Sequence, residues 1–203
     1  MSRVNRGSYY RLILLFVVSG AAALIYQICW QRLLFESVGV DIESVTIIVS
    51  TFMLGLGLGA LLGGELADRF PDRTLQLFAG IELSTAAFGA VSPALIHLVS
   101  HATVSASTLT VAAANFGLLL CPTLLMGATL PILVKHLMRL YQNVGESVGA
   151  LYFANTMGAA LGAGFTGFVA LYYLGLNATL YIAVGLNMAV AAVVGLTLRE
   201  RHV

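Results

Sequence analysis

Five polar residues lie within or at the edge of long apolar stretches, where their side chains have the chemistry of a binding site: Tyr26, Gln27, Arg32, Glu82 and Asn155. A carboxylate in hydrocarbon costs about 2.5–3.5 kcal/mol on insertion scales, so it usually faces a bundle interior or a wet cavity. Glu82 is therefore expected to bind a cation, relay a proton or pair with an arginine. The alternative is a carboxylate that extends back to the inner membrane interface.

Simpler structural roles compete with binding at Tyr26, Arg32 and Asn155. Tyr26 is a residue type that favours the membrane interface, and Arg32 can extend toward water there. The functional alternative places Arg32 at the outer mouth of a cavity, together with Gln27 and Glu36. Asn155 is more readily understood as an interhelical hydrogen-bonding residue than as a substrate ligand.

No residue pattern in the sequence predicts catalysis, a metal or a cofactor. His97 and His101 are four residues apart, but two ligands alone are a weak metal signal, and a polar pair at a helix end is preferred. The apolar stretches contain no paired catalytic carboxylates and no nucleophile with a neighbouring base. We therefore expect a protein that is not an enzyme and that has no resident cofactor.

The composition indicates an integral membrane protein. Of the 203 residues, 59% are hydrophobic and 9% are charged, whereas soluble domains carry about 25% charged residues. A soluble core of this size could not cover so much apolar surface. The net charge of +1 gives no reason to expect a nucleic-acid partner, and membrane lipid is the expected surrounding.

Uncharged stretches predict the transmembrane spans. The two longest, 83–134 and 147–198, are long enough for two helices each, since one crossing needs about 20 residues. A turn near His97–His101 divides the first, and a helix stop at 174–177 divides the second. Pro122 and Pro131 are expected to kink or break the fourth span. The sequence thus predicts an all-α bundle of six spans in a single domain over 1–203: 11–34, 44–66, 75–98, 108–137, 147–173 and 178–198.

The positive charges predict the orientation of these spans. Lys and Arg favour the cytoplasmic side. With the N-terminus inside, every Lys and Arg except Arg32 lies at the cytoplasmic side. An even number of spans then brings both termini to the cytoplasm, in the inner membrane of a bacterium.

Glycines are spaced for close helix packing. Gly55, Gly59 and Gly63 recur every four residues in the second span, and Gly158 and Gly162 do so in the fifth. Small residues at this spacing allow helix backbones to approach closely. These two spans are the best candidates for tight helix contacts, within the chain or with a second chain.

A charged loop follows the second span. It begins at Gly64 and contains Asp68, Arg69 and Arg73. Asp68 and the arginines are expected to pair with one another and with helix ends, forming a conformational latch; the alternative is a solvated loop. This segment resembles the loop between the second and third spans of the major facilitator superfamily, which implies a bundle like one half of such a transporter.

Four stretches resemble a narrower family. They are SGAAALIYQICWQRL (19–33), TFMLGLGLG (51–59), PTLLMGATLP (122–131) and LYFANTMGAALG (151–162). Together they resemble the membrane domain of bacterial fused transporter-like/spermidine synthase proteins. In that family a cytoplasmic aminopropyltransferase-like domain often follows the spans. We expect no such domain in the present chain, so the resemblance does not imply synthase activity for it.

Two functions are expected from these features. The first is a transporter-like subunit that works as a homo-oligomer or in a complex, for a polyamine-like or other small cationic solute. Its binding site would lie between two bundles, because one half of such a transporter supplies the residues for only one side of the site. The second is a non-transporting scaffold that docks a soluble enzyme, such as a synthase-like partner on the cytoplasmic face, or an electron-transfer complex.

The predicted orientation can be tested with reporter fusions. We expect a fluorescent reporter that matures only in the cytoplasm to be active at either end of the chain. A periplasm-dependent phosphatase should be inactive at both ends and active after Arg32. If the reporters placed the two ends of the chain on opposite sides of the membrane, an even number of spans would be contradicted.

Overall fold

The chain is folded almost entirely into helices. The computed structural model describes residues 6–38, 41–141 and 143–200. Arg3 and Arg201, two of the residues expected at the cytoplasmic side, lie outside these residues. The helices are α1 (Arg6–Val38), α2 (Asp41–Arg69), α3 (Thr74–Ala102), α4 (Thr108–Tyr141), α5 (Val144–Phe165), α6 (Leu171–Tyr173) and α7 (Gly175–Glu200). A 3-10 turn at Pro71–Arg73 precedes α3, and a π-helical turn at Thr166–Ala170 joins α5 to α6.

Six helical stretches are long and apolar enough to cross a membrane, which confirms the predicted all-α bundle. Each predicted span matches one of them to within a few residues; α5, the π turn and α6 together form the fifth. Gly175, with φ of 78°, begins α7 at the predicted stop, where glycine adopts a left-handed backbone at no steric cost. Large apolar side chains such as Leu61 and Phe168 are exposed on the outside of the bundle, as expected for contact with lipid.

Of the two outcomes expected at the prolines of the fourth span, a kink or a break, the break does not occur. Helix α4 runs without interruption from Thr108 to Tyr141 and includes both Pro122 and Pro131. Next to Pro122, the hydroxyl of Thr123 lies 3.0 Å from the carbonyl oxygen of Leu119 and 2.9 Å from that of Leu120. Such hydroxyls can satisfy backbone groups near a proline, which helps membrane helices to continue past it.

Helices α2 and α4 run parallel and pack at very short distance. The space for a side chain at Gly55 is taken by Thr123, and at Gly63 by the backbone and side chain of Ala128. Gly59 likewise lies against the α4 backbone. The glycines of the second span therefore contact a neighbouring helix of the same chain.

Helices α1 and α5 form a second close parallel pair. A side-chain carbon at Gly158 would overlap the backbone of Val17, and one at Gly162 would overlap the backbone of Ala21. Both predicted glycine faces are thus filled inside the bundle. A second copy of the chain could use them only if these helix pairs separated.

Helices α3 and α7 close the back of the bundle and pack against each other. Helix α3 also runs parallel to α1: Trp30 Nε1 donates a hydrogen bond of 2.8 Å to Ser92 Oγ, and the ring of Tyr26 lies against Gly89. These two contacts align residues 26–30 of α1 with residues 89–92 of α3.

The buried apolar residues form two clusters at different heights. One contains Trp30 and Ile96 near the C-terminal ends of α1 and α3. The other contains Phe16, Phe78 and Leu133. A layer of polar side chains separates the two clusters at about half the height of the bundle, where the candidate site lies.

The close contact at Gly158 can be tested by adding a single methyl group. We expect Gly158→Ala to lower the free energy of unfolding by about 1–3 kcal/mol, because the methyl group must displace the backbone of α1. Gly164→Ala on the same helix is the control: apart from its chain neighbours and the adjoining backbone of its own helix, no described atom lies within 4 Å of its added carbon, and alanine favours the helix. Equal effects of both changes on unfolding in detergent would contradict the α1–α5 contact.

Candidate functional site

All six spans contribute to a cavity in the polar layer, which we call the central cavity. It has a volume of about 80 Å³. Its apolar lining includes Phe52, Leu56 and Met126. Its polar lining consists of Ser19 and Gln27 from α1, Glu82 and Thr85 from α3, Thr129 from α4, Asn155 from α5 and Asn187 from α7.

Glu82 is the charged residue of the cavity and is only 2% exposed. Ser19 Oγ donates a hydrogen bond of 2.6 Å to its Oε1 atom, whereas Oε2 has no hydrogen-bond partner among the described residues. Within the described chain, the carboxylate therefore neither extends to the interface nor pairs with an arginine. A buried, half-satisfied carboxylate is costly in a medium of low dielectric constant unless a proton or a cation compensates it.

Thr85 and Asn187 also present unpaired polar atoms at the cavity. Within the part of the chain that the structure describes, Thr85 Oγ1 and Asn187 Oδ1 are buried without hydrogen-bond partners. Other buried threonines in these helices, such as Thr51 and Thr166, donate to the carbonyl four residues earlier. Since that local bond is available to any helical threonine, its absence at Thr85 leaves the hydroxyl free for a ligand.

The cavity has a deep end and a mouth. Ser19, Glu82, Thr85 and Asn187 are buried and form the deep end, against α3 and α7. The mouth is formed by residues with partial exposure on the four other spans: Gln27, Leu56, Met126 and Asn155. It therefore opens between the α1–α5 pair and the α2–α4 pair.

Three of the residues predicted from sequence, Gln27, Glu82 and Asn155, meet at this cavity. Tyr26 lies beside it in the aromatic core, with its ring stacked on Trp30 at a centroid distance of 5.0 Å. The buried hydroxyl of Tyr26 has no hydrogen-bond partner in residues 6–38, 41–141 and 143–200.

Arg32 is not part of the central cavity. It is exposed and lines a separate surface pocket of about 350 Å³ with Glu36, Gly167 and Tyr172. The sequence placed Arg32 and Gln27 at one mouth, but they are five residues apart on α1. Five residues correspond to about 140° around a helix, so the two side chains leave α1 in different directions.

The charged segment expected to be a loop is largely helical, since Gly64, Asp68 and Arg69 lie in the last turns of α2. It is held by α4 rather than by its own arginines. Asp68 pairs with Lys135 at 2.5 Å, and Asp72 pairs with Arg139 at 2.7 Å. Arg139 also donates to the backbone carbonyl of Pro71. The expected pairing of Asp68 with the loop arginines is therefore wrong, because the parallel packing of α2 on α4 brings Lys135 to Asp68.

The remaining residues of the predicted latch do not join these ion pairs. Arg69 lies over the ring of Phe70, with 5.7 Å from the guanidinium carbon to the ring centroid, and Arg73 is exposed. Gly64 lines an apolar groove between α2 and α4 that ends at the Asp68–Lys135 pair. His97 and His101 are exposed near the end of α3.

Sequence reasoning missed Ser19, Thr85, Thr129 and Asn187. A signal existed for Thr85, which is three residues after Glu82 and so on the same face of a helix. The others are single small polar residues in apolar helices, where most such groups simply bond to their own backbone.

No family model, no curated protein and no solved structure matches this chain.

The Asp68–Lys135 pair can be tested by exchanging its charges. We expect Asp68→Lys and Lys135→Asp each to lower the free energy of unfolding, by up to about 1 kcal/mol because the pair is exposed. The double exchange should recover most of this loss, as measured by chemical unfolding in detergent. Glu65→Lys, a change at an exposed carboxylate one turn earlier on α2, is the control and should not be rescued by Lys135→Asp. Additive effects of the two exchanges would contradict the pair.

Proposed function

We propose that the chain is a transporter-like membrane subunit whose solute site is the central cavity and whose anchoring residue is Glu82. The observation that carries the proposal is a buried carboxylate with one oxygen unpaired among the described residues, in a cavity lined by all six spans. Ionisable residues inside membranes are costly and usually mark ion or substrate pathways. The cavity lies at about half the height of the bundle, and secondary transporters usually bind their solutes near the middle of the bilayer.

The charge of the site favours a cationic solute. Among the described residues that line the cavity, none carries a positive charge, and Glu82 carries the negative one. An anion there would face an uncompensated repulsion in a poorly screened environment. The expected cargo is therefore a small cation, with a polyamine-like molecule as the member of this class that the sequence resemblance suggests.

The site does not need a second bundle to supply its residues, because every span of one chain already contributes to it. A second bundle would instead cover the mouth between the two helix pairs. Our proposal therefore includes a homo-oligomer or another membrane subunit, in a bacterial inner membrane with both termini in the cytoplasm. A soluble synthase-like protein at the cytoplasmic face belongs to the same proposal through the family resemblance.

The alternative function, a membrane scaffold, does not require a polar cavity. A scaffold needs a stable bundle and a docking surface, and a buried carboxylate with an unpaired oxygen lowers stability without helping either. Removal of the charge from Glu82 should therefore improve a scaffold and disable a transporter.

The proposal can be tested by cation flux in proteoliposomes that contain the full chain. We expect uptake of radioactive sodium, methylammonium or spermidine, driven by an imposed membrane potential. Glu82→Gln should reduce this uptake at least about tenfold, because the ligand then loses its charged partner. Glu65→Gln, the same change at an exposed carboxylate, is the control and should leave uptake unchanged. Equal uptake by the wild type and Glu82→Gln, or no uptake of any of these cations, would contradict the proposal.

A further inference from the structure

We infer that the deep end of the central cavity is a binding site for one small monovalent cation, held by oxygen atoms of Glu82, Thr85 and Asn187. This inference rests on the proposed function, since it names the class of ligand for the same cavity. Its three principal ligands are each at least nine-tenths buried.

The unpaired atoms decide the sign of the ligand. Glu82 Oε2 and Asn187 Oδ1 are acceptors, and neither receives a hydrogen bond from a described residue. Thr85 Oγ1 can accept as well as donate. A ligand that only accepts hydrogen bonds would leave these oxygens unsatisfied, whereas a cation or a protonated amine is a ligand of the kind that each of them can bind.

The number of charged groups in the cavity lining indicates the valence of the ligand. Glu82 supplies a single negative charge, and the other polar groups of the described lining are neutral hydroxyls and amides. One monovalent cation brings this buried region to neutrality. A divalent ion would leave one positive charge uncompensated in a low dielectric, and Mg²⁺ in particular gives up its water reluctantly.

The volume of the cavity limits the size of the ligand. The cavity encloses about 80 Å³, and a single water needs about 10–15 Å³ of such space. A small cation with a few waters fits there. A polyamine carries several charges along a chain and would have to extend through the mouth, past Leu56 and Asn155, where no second carboxylate lines the described cavity.

The location of the oxygens supports a built site rather than a chance group. Glu82 and Thr85 are on α3, and Asn187 is on α7. Ser19 on α1 fixes Glu82 by donating to its other carboxylate oxygen, which leaves Oε2 available to the ligand. A ligating carboxylate is commonly held in this way by a hydrogen-bonding neighbour.

The test is equilibrium binding of radioactive sodium to the full chain in detergent, with choline chloride holding the ionic strength constant. We expect saturable binding that unlabelled Na⁺ or K⁺ displaces, and that equal concentrations of Mg²⁺ or spermidine do not. Glu82→Gln should weaken it at least about 100-fold, since a neutral ligand replaces the charged one. Glu65→Gln should bind like the wild type.

A matched pair of threonine variants keeps the test independent of folding. Thr85→Val removes an unpaired hydroxyl with little change of shape, so the protein should remain as stable as the wild type. Its affinity for sodium should fall about five- to tenfold. Thr166→Val removes an equally buried hydroxyl that donates to its own helix, and it should lower stability without changing affinity.

The outcomes separate this inference from the proposed function. Unchanged affinity in both Glu82→Gln and Thr85→Val, or no saturable sodium binding by the wild type, would overturn the cation site. In that case, measured flux of methylammonium or spermidine would still support the proposed transport function. Stronger displacement by spermidine than by Na⁺ would also overturn it, since the ligand would then be a polyamine. Sodium binding without any flux would support the cation site and contradict the proposed transport function.

Discussion

The close approach of helix backbones at glycine determines the rest of this structure. In lipid, apolar side chains gain little by leaving their surroundings, so van der Waals packing has to hold the helices together. Gly59 and Gly63 let α2 lie on α4, and Gly158 and Gly162 let α1 lie on α5. The two tight pairs place Gln27, Leu56 and Asn155 around one opening, and α3 and α7 close it from behind. The polar layer thus follows from how closely these backbones meet.

Within this frame the polar layer lowers the stability of the bundle. Two apolar clusters, around Trp30 on one side and around Phe78 on the other, would form one continuous core if Glu82, Thr85 and Asn187 were apolar. Replacement of buried polar groups by apolar groups of similar shape is often neutral or stabilising. Packing therefore gives the unpaired atoms of these residues no stabilising role, and the ligand proposed above would satisfy them. Ser92 shows the contrast, because Trp30 satisfies its hydroxyl within the protein.

The sequence predicted the number of spans and their approximate limits, because soluble helices rarely lack charged residues over a length of about 20 residues. It predicted Glu82 and Asn155 at an interior position for a similar reason. It could not predict Ser19 or Asn187, since a single hydroxyl or amide in an apolar helix is usually satisfied locally. The partners of Asp68 and Asp72 were missed because they depend on the register of α2 against α4. That register is set by contacts such as Gly63 on Ala128, which involve residues 65 positions apart along the chain.

The distribution of contacts indicates where this bundle is stiff and where it can move. The α2–α4 pair is joined along its length by glycine contacts and at its end by the Asp68–Lys135 ion pair, and the α1–α5 pair is joined by equally close backbone contacts. The two pairs meet each other much less extensively. A change that widens the mouth of the central cavity therefore has to separate the pairs rather than bend either one. On the α1 side, the Ser19–Glu82 hydrogen bond resists that separation, because it ties α1 to α3 at the level of the cavity. The cation site proposed at Glu82 thus lies at the contact between the α1–α5 pair and α3, which is where binding can alter the balance between two arrangements of a bundle.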